Sequence, residues 1–593
     1  MCGISIILDF EEKARIGHIQ QMMEAIKHRG PDASQHTERP FGNGRVFLGS
    51  NRLQIIDKDN HSNQPFLSQD GRYGLIFNGE IYNYETLRNE LLTSGIQFTT
   101  RSDTEVLLYW LIKNGAEGVQ HLNGMFAFVF IDFASSELLI ARDHLGIKPL
   151  FLHRTSTQLI ISSEIQGILA SGLVKKHLNE EAIPHYLAYK YAPRPVTFFK
   201  GIEEVMPGTI WQTDKNGKSE KSLIPEQTQE ERQDIKQLLI DTVVQQYSEA
   251  NNTGIMLSGG VDSTLLLAIL NKELGYRNVP VFSVASKGKN KFDTRDGAFA
   301  AKATKLYQAE YNEIGIDESS LDDLNSYVST LGQPIADSGG YLTRLIAQKA
   351  VGKSKVLLSG AGADELFGGY NRHKAFYNYL KYRNKSWFSL VKQAKKIPGF
   401  SNQLNLVKKL ANALDADPST TFNNFVQSDS FRISGKLWDA RLSNETHLRN
   451  VLNHDQHNYL GADVLAITDY ATMQHSIETR VPFLDCQLVK ATRSMQANEL
   501  LKNGGKWMLK EQLINYGGKE FATRKKQGLG LPMNDWLKEE KHWDFNSKEH
   551  LIHKFLPQQK IRELQKLHSI GKENLTQELW RILLLHKWLA LNF

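Results

Sequence analysis

The chain has little cysteine and no long apolar run. Its two cysteines, Cys2 and Cys486, are far apart and lack metal-ligand spacing, so we expect no disulfide framework and a cytoplasmic location. No stretch stays apolar over the roughly 20 residues that a membrane-spanning helix needs. The start, Gly3 to Phe10, is followed at once by charged residues, unlike a signal peptide. These absences predict a protein without a transmembrane segment.

An excess of one charge is also missing from the chain as a whole. A net charge of +6 over 593 residues is too small to indicate nucleic-acid binding. The 41% hydrophobic and 23% charged residues are an ordinary globular mixture. At this length about two to four domains are expected.

Acidic residues are absent from one long segment. Residues 366–414 contain no Asp or Glu but ten Lys and Arg, with aromatic residues between them. This composition is typical of a basic, solvated helical face. The alternative is peripheral contact with an anionic membrane surface or an anionic glycan.

The order of patterns along the chain indicates two halves. Residues 1–212 contain many short β-rich runs, and residues 213–232 are polar and nearly free of large apolar groups, which predicts a linker. Residues 233–593 begin with apolar strands alternating with helical stretches, the pattern of a parallel α/β sheet. From about Asn371 onward the pattern is mostly helical.

One glycine-rich stretch, Ser258-Gly-Gly-Val-Asp-Ser263, connects a predicted buried strand to a predicted helix. A strand, a glycine-rich turn and a helix N-terminus aim backbone N–H groups at an anion. No Lys follows the glycines, which excludes the GxxxxGK[ST] loop. The stretch resembles the pyrophosphate loop of synthetases that split ATP into AMP and pyrophosphate; the alternative is a glycine-rich turn without a ligand.

Cys2 becomes the first residue if Met1 is removed. A free α-amine titrates near neutrality, so it can act as general base for the thiol of the same residue. A lone cysteine at position 2 is more often accidental, but here other motifs follow it. They are His28-Arg-Gly-Pro-Asp32, Asn51-Arg-Leu-Gln-Ile-Ile-Asp57, Phe77-Asn-Gly-Glu-Ile-Tyr-Asn83, Arg101-Ser-Asp-Thr-Glu105 and Ala141-Arg-Asp-His-Leu-Gly-Ile-Lys-Pro-Leu150.

Three further stretches lie in the second half: Leu358–Tyr370, Ser476–Asp485 and Arg524–Pro532. With these motifs in order over nearly the whole length, the chain resembles the glutamine-hydrolysing asparagine synthetases, which are class II glutamine amidotransferases. The resemblance implies an α/β protein with an N-terminal Ntn-hydrolase αββα sandwich and a C-terminal Rossmann-like ATP-pyrophosphatase domain ending in helices. It implies ATP and Mg²⁺ as cofactors, and glutamine and a carboxylate acceptor as further substrates. A homodimer is compatible with it.

For the glutaminase half, the resemblance implies that Cys2 attacks glutamine while Asn78 and Gly79 form the oxyanion hole. An alternative for Arg29 and Asp32 is a structural ion pair between them. Arg52 would pair with the glutamine α-carboxylate, and two acids would face its ammonium. The implied glutamine-binding residues are Arg52, Ile55, Asn78, Gly79, Glu80 and Asp103.

For the synthetase half, Asp262 and Asp364 are the implied Mg²⁺ ligands, since Mg²⁺ prefers oxygen. Lys526 would neutralise the leaving pyrophosphate; the alternative is a solvated surface charge. The implied ATP-binding residues are Leu257, Ser258, Gly259, Gly260, Asp262, Ser263, Val284, Ser359 and Gly360.

Two departures from the family fall in the predicted acceptor pocket. Position 361, usually acidic, is Ala361, and position 339, usually a hydroxyl, is Gly339. The pocket is predicted to comprise Asp337, Gly339, Tyr341, Ala361 and Arg480, although Arg480 beside Glu478 has a structural alternative. L-aspartate is the default acceptor. A pocket that lacks two polar groups, however, is expected to bind a small, doubly ionic substrate poorly.

Two alternatives to an enzyme that amidates L-aspartate therefore stay open. One is a larger carboxylate, such as a uronic acid of a surface glycan precursor or a peptide, with Tyr341 and residues 372–396 meeting an anionic acceptor. The other is a family member without catalytic activity.

Overall fold

The computed structural model describes residues 1–214, 219–224, 234–286, 295–384, 410–439, 441–524, 533–538 and 550–593. Its strands are β1 Cys2–Asp9, β2 Ala33–Phe41, β3 Gly44–Arg52, β4 Phe66–Leu67, β5 Tyr73–Ile81, β6 Gly124–Asp132, β7 Glu137–Arg142, β8 Phe151–Arg154, β9 Gln158–Ser162, β10 Ile202–Glu204, β11 Thr209–Thr213, β12 Ser219–Leu223, β13 Gly254–Met256, β14 Pro280–Ser286, β15 Glu310–Ile316, β16 Val356–Leu358 and β17 Glu478–Arg480.

The α-helices of the described residues are α1 Ile16–Ala25, α2 Tyr84–Thr93, α3 Asp103–Asn114, α4 Ile165–Ala170, α5 Ala182–Tyr189, α6 Ile235–Gln246, α7 Val261–Lys272, α8 Arg295–Leu306, α9 Leu324–Thr330, α10 Ser338–Ala350, α11 Ala363–Phe367, α12 Asn371–Tyr382, α13 Pro418–Val426, α14 Asn444–His454, α15 Ala466–Met473, α16 Cys486–Ser494, α17 Ala497–Leu500, α18 Trp507–Asn515, α19 Lys519–Thr523, α20 Met533–Trp536, α21 Gln558–Ser569 and α22 Thr576–Asn592. A π-helix, Asp455–Leu465, joins α14 to α15.

Two six-stranded antiparallel sheets form the first half, in the orders β10-β8-β9-β1-β3-β2 and β12-β11-β7-β6-β5-β4. All eight residues of β1 are buried, because one face of its sheet packs on the second sheet and the other on α1 and α4. The outer face of the second sheet is covered by α2 and α3. This four-layer arrangement confirms the predicted αββα sandwich.

The second half is organised on a parallel sheet in the order β15-β14-β13-β16-β17. The strand order reverses between β13 and β16, and ligands of such sheets bind beyond the carboxyl ends of the strands at that reversal. The loop after β13 begins at Leu257, and the loop after β16 begins at Ser359. The predicted Rossmann-like sheet with a helical C-terminal part is confirmed.

The stretch predicted as a linker contains an edge strand. β12 pairs with β11 in the register Thr213↔Ser219, and the ammonium of Lys221 lies 5.6 Å from the ring centre of Trp211. Backbone pairing with β11, together with this cation–π contact, therefore places part of the polar segment on the sheet edge. The antiparallel sheet extends past the predicted boundary at residue 212.

The C-terminal helix α22 packs against α5 of the first half. The Tyr186 hydroxyl donates to the carbonyl of Arg581, whose guanidinium donates to the carbonyls of Leu187 and Ala188.

Of the acid-free segment 366–414, residues 385–409 lie outside the described residues. No helix in the described part of the chain is long and apolar enough to cross a membrane.

Candidate active sites at the contact between the two halves

Cys2 is buried at the start of β1. Its backbone N–H donates to Asn78 Oδ1 at 3.0 Å, and the amide of Gln64 donates to its sulfur at 3.8 Å. Burial raises the pKa of the thiol, although the positive charges of the Met1 amine and of Arg52 oppose the rise. A base that takes the thiol proton is therefore needed for attack. Gln64 was not selected from the sequence, because nothing in its local pattern points to Cys2.

Two groups beside Cys2 are suited to stabilise an oxyanion. Asn78 accepts with its oxygen, and its buried Nδ2 has no hydrogen-bond partner among the described residues. Gly79 has φ +154°, and a Cβ there would lie 2.0 Å from the carbonyl oxygen of Met125, so only glycine fits. An amide donor next to the predicted nucleophile is the arrangement that acyl transfer requires.

Arg52 ends β3 and holds the loop that follows. Its guanidinium donates to the carbonyl of Asp59 and to Asn63 Oδ1, both at 2.9 Å, and to the carbonyl of Asp57. Ile55 is buried, packed with Leu53 and Val356. Of these two predicted glutamine-binding residues, Arg52 lies beside Cys2, because the two residues are paired between β3 and β1.

An acidic pocket surrounds the amino group of Met1. Glu478 Oε2 lies 3.2 Å from this nitrogen, and both groups are fully buried. Burial raises the pKa of Asp103 and of Glu80, and the positive charge of the Met1 amine lowers both. Arg480 pairs with Glu80 at 3.2 Å and with Glu478 at 2.7 Å. The predicted ammonium-facing acids, Glu80 and Asp103, are therefore grouped with a third, Glu478.

The predicted pyrophosphate loop turns sharply between β13 and α7. Gly259 has φ +66°, and a Cβ on it would lie 2.6 Å from the backbone nitrogen of Ala300. The hydroxyls of Ser258 and Ser263 are 3.1 Å apart across the loop. A Cβ on Gly360 would lie 2.9 Å from the Cβ of Asp262, so the two predicted nucleotide loops touch.

Lys506 joins the two acids predicted to bind Mg²⁺. Its Nζ lies 2.6 Å from Asp262 Oδ2 and 2.6 Å from Asp364 Oδ1. Burial lowers the pKa of Lys506, but the two carboxylates outweigh burial and raise it, so the ammonium stays charged. The sequence reasoning missed this residue; the available signal was its position directly after Gly504 and Gly505 and before α18.

Asp262 and Asp364 also fit a magnesium ion. The described residues contain no group of three or more His, Cys, Asp or Glu side chains that could hold a metal. Mg²⁺ in nucleotide sites, however, takes one or two carboxylates and completes its shell with phosphate oxygens and water. Two carboxylates that converge on one cation satisfy that requirement.

A cleft of about 260 Å³ lies between the two loops. Among the residues lining it are most of the predicted ATP residues, Leu257, Ser258, Asp262, Ser263, Val284, Ser359 and Gly360, and three predicted acceptor residues, Asp337, Gly339 and Ala361. Asp337 is ion-paired with Lys190, which also lies 2.8 Å from Asp463. The cleft thus brings the predicted nucleotide residues and three of the predicted acceptor residues together.

Two residues predicted for the acceptor pocket lie elsewhere. Gly339 faces the cleft from α10, so Tyr341, two residues later, faces away; its hydroxyl donates to the carbonyl of Ser320. Arg480 lies at the contact with the first half, against Glu80. Lys526 is outside the described residues.

Arg29 and Asp32 do not pair with each other; each binds the second half. The Arg29 guanidinium lies 2.7 Å from Asp469 Oδ2 and 2.8 Å from Glu164 Oε1, and Asp32 lies 3.2 Å from Lys355 Nζ. The alternative of a structural pair within the loop is therefore wrong. These side chains hold the two halves together.

Comparison with known families matches two consecutive parts of the chain. Residues 234–590 match the asparagine synthase family, and residues 1–224 match the glutamine amidotransferase domain. The chain belongs to the asparagine synthase family. It is 28% identical to asparagine synthetase (glutamine-hydrolyzing) 1 of Bacillus subtilis (strain 168), over 100% of this chain and 97% of that protein.

Other asparagine synthase relatives are equally distant. A putative asparagine synthetase (glutamine-hydrolyzing) of Mycobacterium bovis is 28% identical over 98% of this chain and 93% of its own length. The amidase chyE of Penicillium rubens is 29% identical over 66% of this chain and 62% of its own length. The resemblance drawn from the motifs is confirmed, and the protein is a ligase of the glutamine-hydrolysing asparagine synthetase type.

Proposed function

We propose that residues 1–212 release ammonia from glutamine and that residues 233–593 adenylate a carboxylate with ATP and amidate it. The proposal rests on the convergence of Asp262 and Asp364 on one cation, in a cleft of the half that also contributes Glu478 to the surroundings of Cys2. Both sites are thereby parts of one packed body.

The first reaction takes place at Cys2 after Met1 has been removed. The Cys2 amine accepts the thiol proton, and the sulfur attacks the side-chain amide carbon of glutamine. Asn78 Nδ2 and the backbone of Gly79 stabilise the oxyanion. Collapse returns a proton to the leaving nitrogen and gives ammonia and a thioester, which water hydrolyses to glutamate.

The second reaction takes place in the cleft. A carboxylate oxygen of the acceptor attacks the α-phosphorus of ATP, and pyrophosphate leaves with the bond electrons. Lys506 offers a buried positive charge to the leaving group, and Lys526 would offer a second. Mg²⁺ held by Asp262 and Asp364 would screen the phosphate charge. Ammonia then attacks the acyl carbon and AMP departs.

Ammonia has to cross between the two sites without meeting bulk water, which would protonate it. The contact between the halves is closed by side chains with almost no exposure, Arg29 and Lys148 of the first half, which bind Asp469 and Thr479 of the second. This burial supports a dry route along the contact.

L-aspartate is the default acceptor that we propose, with a larger carboxylate as the alternative. Two groups expected to meet an anionic acceptor are engaged elsewhere, since Tyr341 donates to Ser320 and Arg372 is ion-paired with Asp455 at 2.8 Å. The wall beside Ala361 includes Val464, Ile467 and Thr468. A relative named as an amidase keeps acceptors other than aspartate open.

Measuring pyrophosphate release with L-aspartate, a uronic acid and a short peptide as acceptors tests the proposal. Release that requires ATP and one of these carboxylates supports it. Glutaminase activity with no pyrophosphate from any carboxylate would favour the alternative of a member without synthetase activity.

A further inference from the structure

All three residues of β17, a strand of the synthetase half, contact the glutaminase half. Glu478 lies 3.2 Å from the Met1 nitrogen, the carbonyl of Thr479 accepts from Lys148 Nζ at 3.4 Å, and Arg480 lies 3.2 Å from Glu80. All three residues are buried. One short strand therefore contributes a wall to the site around Cys2.

The parallel sheet fixes the position of this strand. β17 pairs with β16 in the register Glu478↔Val356 and Arg480↔Leu358, and the carbonyl of Arg480 accepts from the Ser359 N–H at 2.9 Å. The Arg480 guanidinium also donates to the carbonyl of Gln246. Backbone bonds on one edge and a buried arginine thus leave Glu478 little freedom.

The Met1 amine shows which ligand this wall suits. The buried Met1 ammonium contacts Glu478 at 3.2 Å in a charge-assisted pair, and its positive charge also lowers the pKa of Glu80 and of Asp103. These carboxylates together favour a primary ammonium. When Met1 is removed, its amine leaves these acids. Glutamine brings an α-ammonium of the same kind to the same acids.

We propose that Glu478 is a glutamine-positioning residue, supplied to the glutaminase site by the synthetase half. This rests on the proposed function, because glutamine is the ligand. Glu478 Oε2 faces the substrate ammonium, and Arg480 holds Oε1 through its Nε and balances the charge of Glu80. The glutamine site is complete only when β17 is in its sheet.

The test is glutamine hydrolysis by the full-length Glu478→Gln protein, with glutamate formation and ammonia-dependent pyrophosphate release measured side by side. We expect the KM for glutamine to rise about tenfold or more, the effect of losing one charge-assisted contact. The kcat at saturating glutamine and the rate of the ammonia-dependent reaction should stay within about twofold of the wild type. Glu478→Asp should bring the KM part of the way back to the wild-type value, because a carboxylate carries the negative charge that an amide lacks.

Lys355→Gln is the matched control. It removes another ion pair between the halves, Lys355 with Asp32 at 3.2 Å, which lies partly in solvent. The Lys355 carbonyl accepts from the Glu478 N–H, and the substitution keeps this backbone bond. Its KM for glutamine should equal that of the wild type. An unchanged KM in Glu478→Gln, or an equal rise in Lys355→Gln, would overturn the proposal; if Glu478→Gln does not fold, the KM of Glu478→Asp decides in the same way.

Mass spectrometry that finds Met1 retained would overturn both the role of Glu478, which would then hold the chain's own amine, and the proposed reaction at Cys2. One further result separates this proposal from the proposed function. If the wild type forms no glutamate, the proposed function fails, and calorimetric titration of glutamine into Cys2→Ala with and without Glu478→Gln still decides: equal affinities contradict a positioning role.

Discussion

The Lys506 ammonium lies 2.6 Å from the Asp262 carboxylate, and Asp364 is equally close to it. Acids from two loops far apart in the chain thus share one cation. Replacing Lys506 by Met should lower pyrophosphate release by about a hundredfold or more, because a preorganised charge in a buried site is lost. Glutamine hydrolysis should persist, and the exposed Lys519→Met serves as control. Normal release by Lys506→Met would exclude a role in adenylation.

Pyrophosphate release should be more sensitive to replacement of Asp262 or Asp364 than to replacement of Lys506. Asp262→Asn or Asp364→Asn removes a proposed metal ligand and leaves Lys506 with one partner, so ATP-dependent pyrophosphate release should fall by about a thousandfold or more. Glutamate formation in the same preparation reports an intact first half. A variant that keeps adenylating, with unchanged dependence on added Mg²⁺, would show that these acids hold no metal.

The nucleophile can be tested by separating the two reactions. Cys2→Ala removes the thiol but leaves the cleft untouched, so glutamine hydrolysis should stop while synthesis from added ammonium continues. Both are read by coupled assays for glutamate and pyrophosphate. Hydrolysis by the Ala protein at near wild-type rate would place the glutaminase nucleophile elsewhere.

A buried ion-pair cluster of the first half, which also binds Asp469 of the second half through Arg29, should weaken in acid. Glu164 is buried between Arg29 at 2.8 Å and His28 at 3.0 Å. Burial raises the pKa of Glu164, but the two cations have the larger effect and lower this pKa from 4.5 to about 2. Because its pKa is lower in the folded state, ionised Glu164 stabilises the folded protein above pH 4.5. This stabilisation is lost as the pH falls toward 2.

Glu164→Gln should therefore cost about 3 kcal/mol at neutral pH and less in acid. Thermal unfolding of both proteins between pH 7 and pH 3 measures the difference in Tm, which should narrow as pH falls below 4.5. A gap independent of pH would mean that Glu164 acts through packing and not through its charge.

The acceptor end of the cleft gives a prediction about specificity. Ala361 supplies no carboxylate and Gly339 no hydroxyl, and each lost polar contact weakens transition-state binding by roughly 1–3 kcal/mol. L-aspartate should be a weak substrate, and Ala361→Glu should change aspartate-dependent pyrophosphate release by about tenfold or more. Ordinary kcat/KM with aspartate in the unmodified protein would make it a plain asparagine synthetase.

Much of the fold could be read from the sequence because its signals are local. Apolar runs that became β1, β5 and β13 were visible as strands, and the turns at Ser258–Ser263 and after β16 were visible as glycine-rich motifs. Position on a helix was harder to judge. Tyr341 was placed in the acceptor pocket, but two residues along α10 turn a side chain to the opposite face.

Contacts between residues that are far apart in the sequence were not predicted. Lys506 reaches Asp262 and Asp364 from a distant turn, and no spacing within one segment encodes that meeting. Glu478 was noted only as the neighbour of Arg480, since its approach to Met1 depends on how the two halves pack. The strand β12 formed where low apolarity predicted a linker, because backbone pairing with β11 does not need a large apolar side chain.

Phosphorus NMR of one reaction shows whether the protein couples glutamine hydrolysis to adenylation of a carboxylate. The wild-type protein, ATP, Mg²⁺, glutamine and a panel of carboxylates, including L-aspartate and a uronic acid, are followed together with glutamate formation. We predict AMP and pyrophosphate in amounts equal to the glutamate formed, with at least one carboxylate. ADP and phosphate as products, or glutamate with no nucleotide turnover for any carboxylate, would contradict the account.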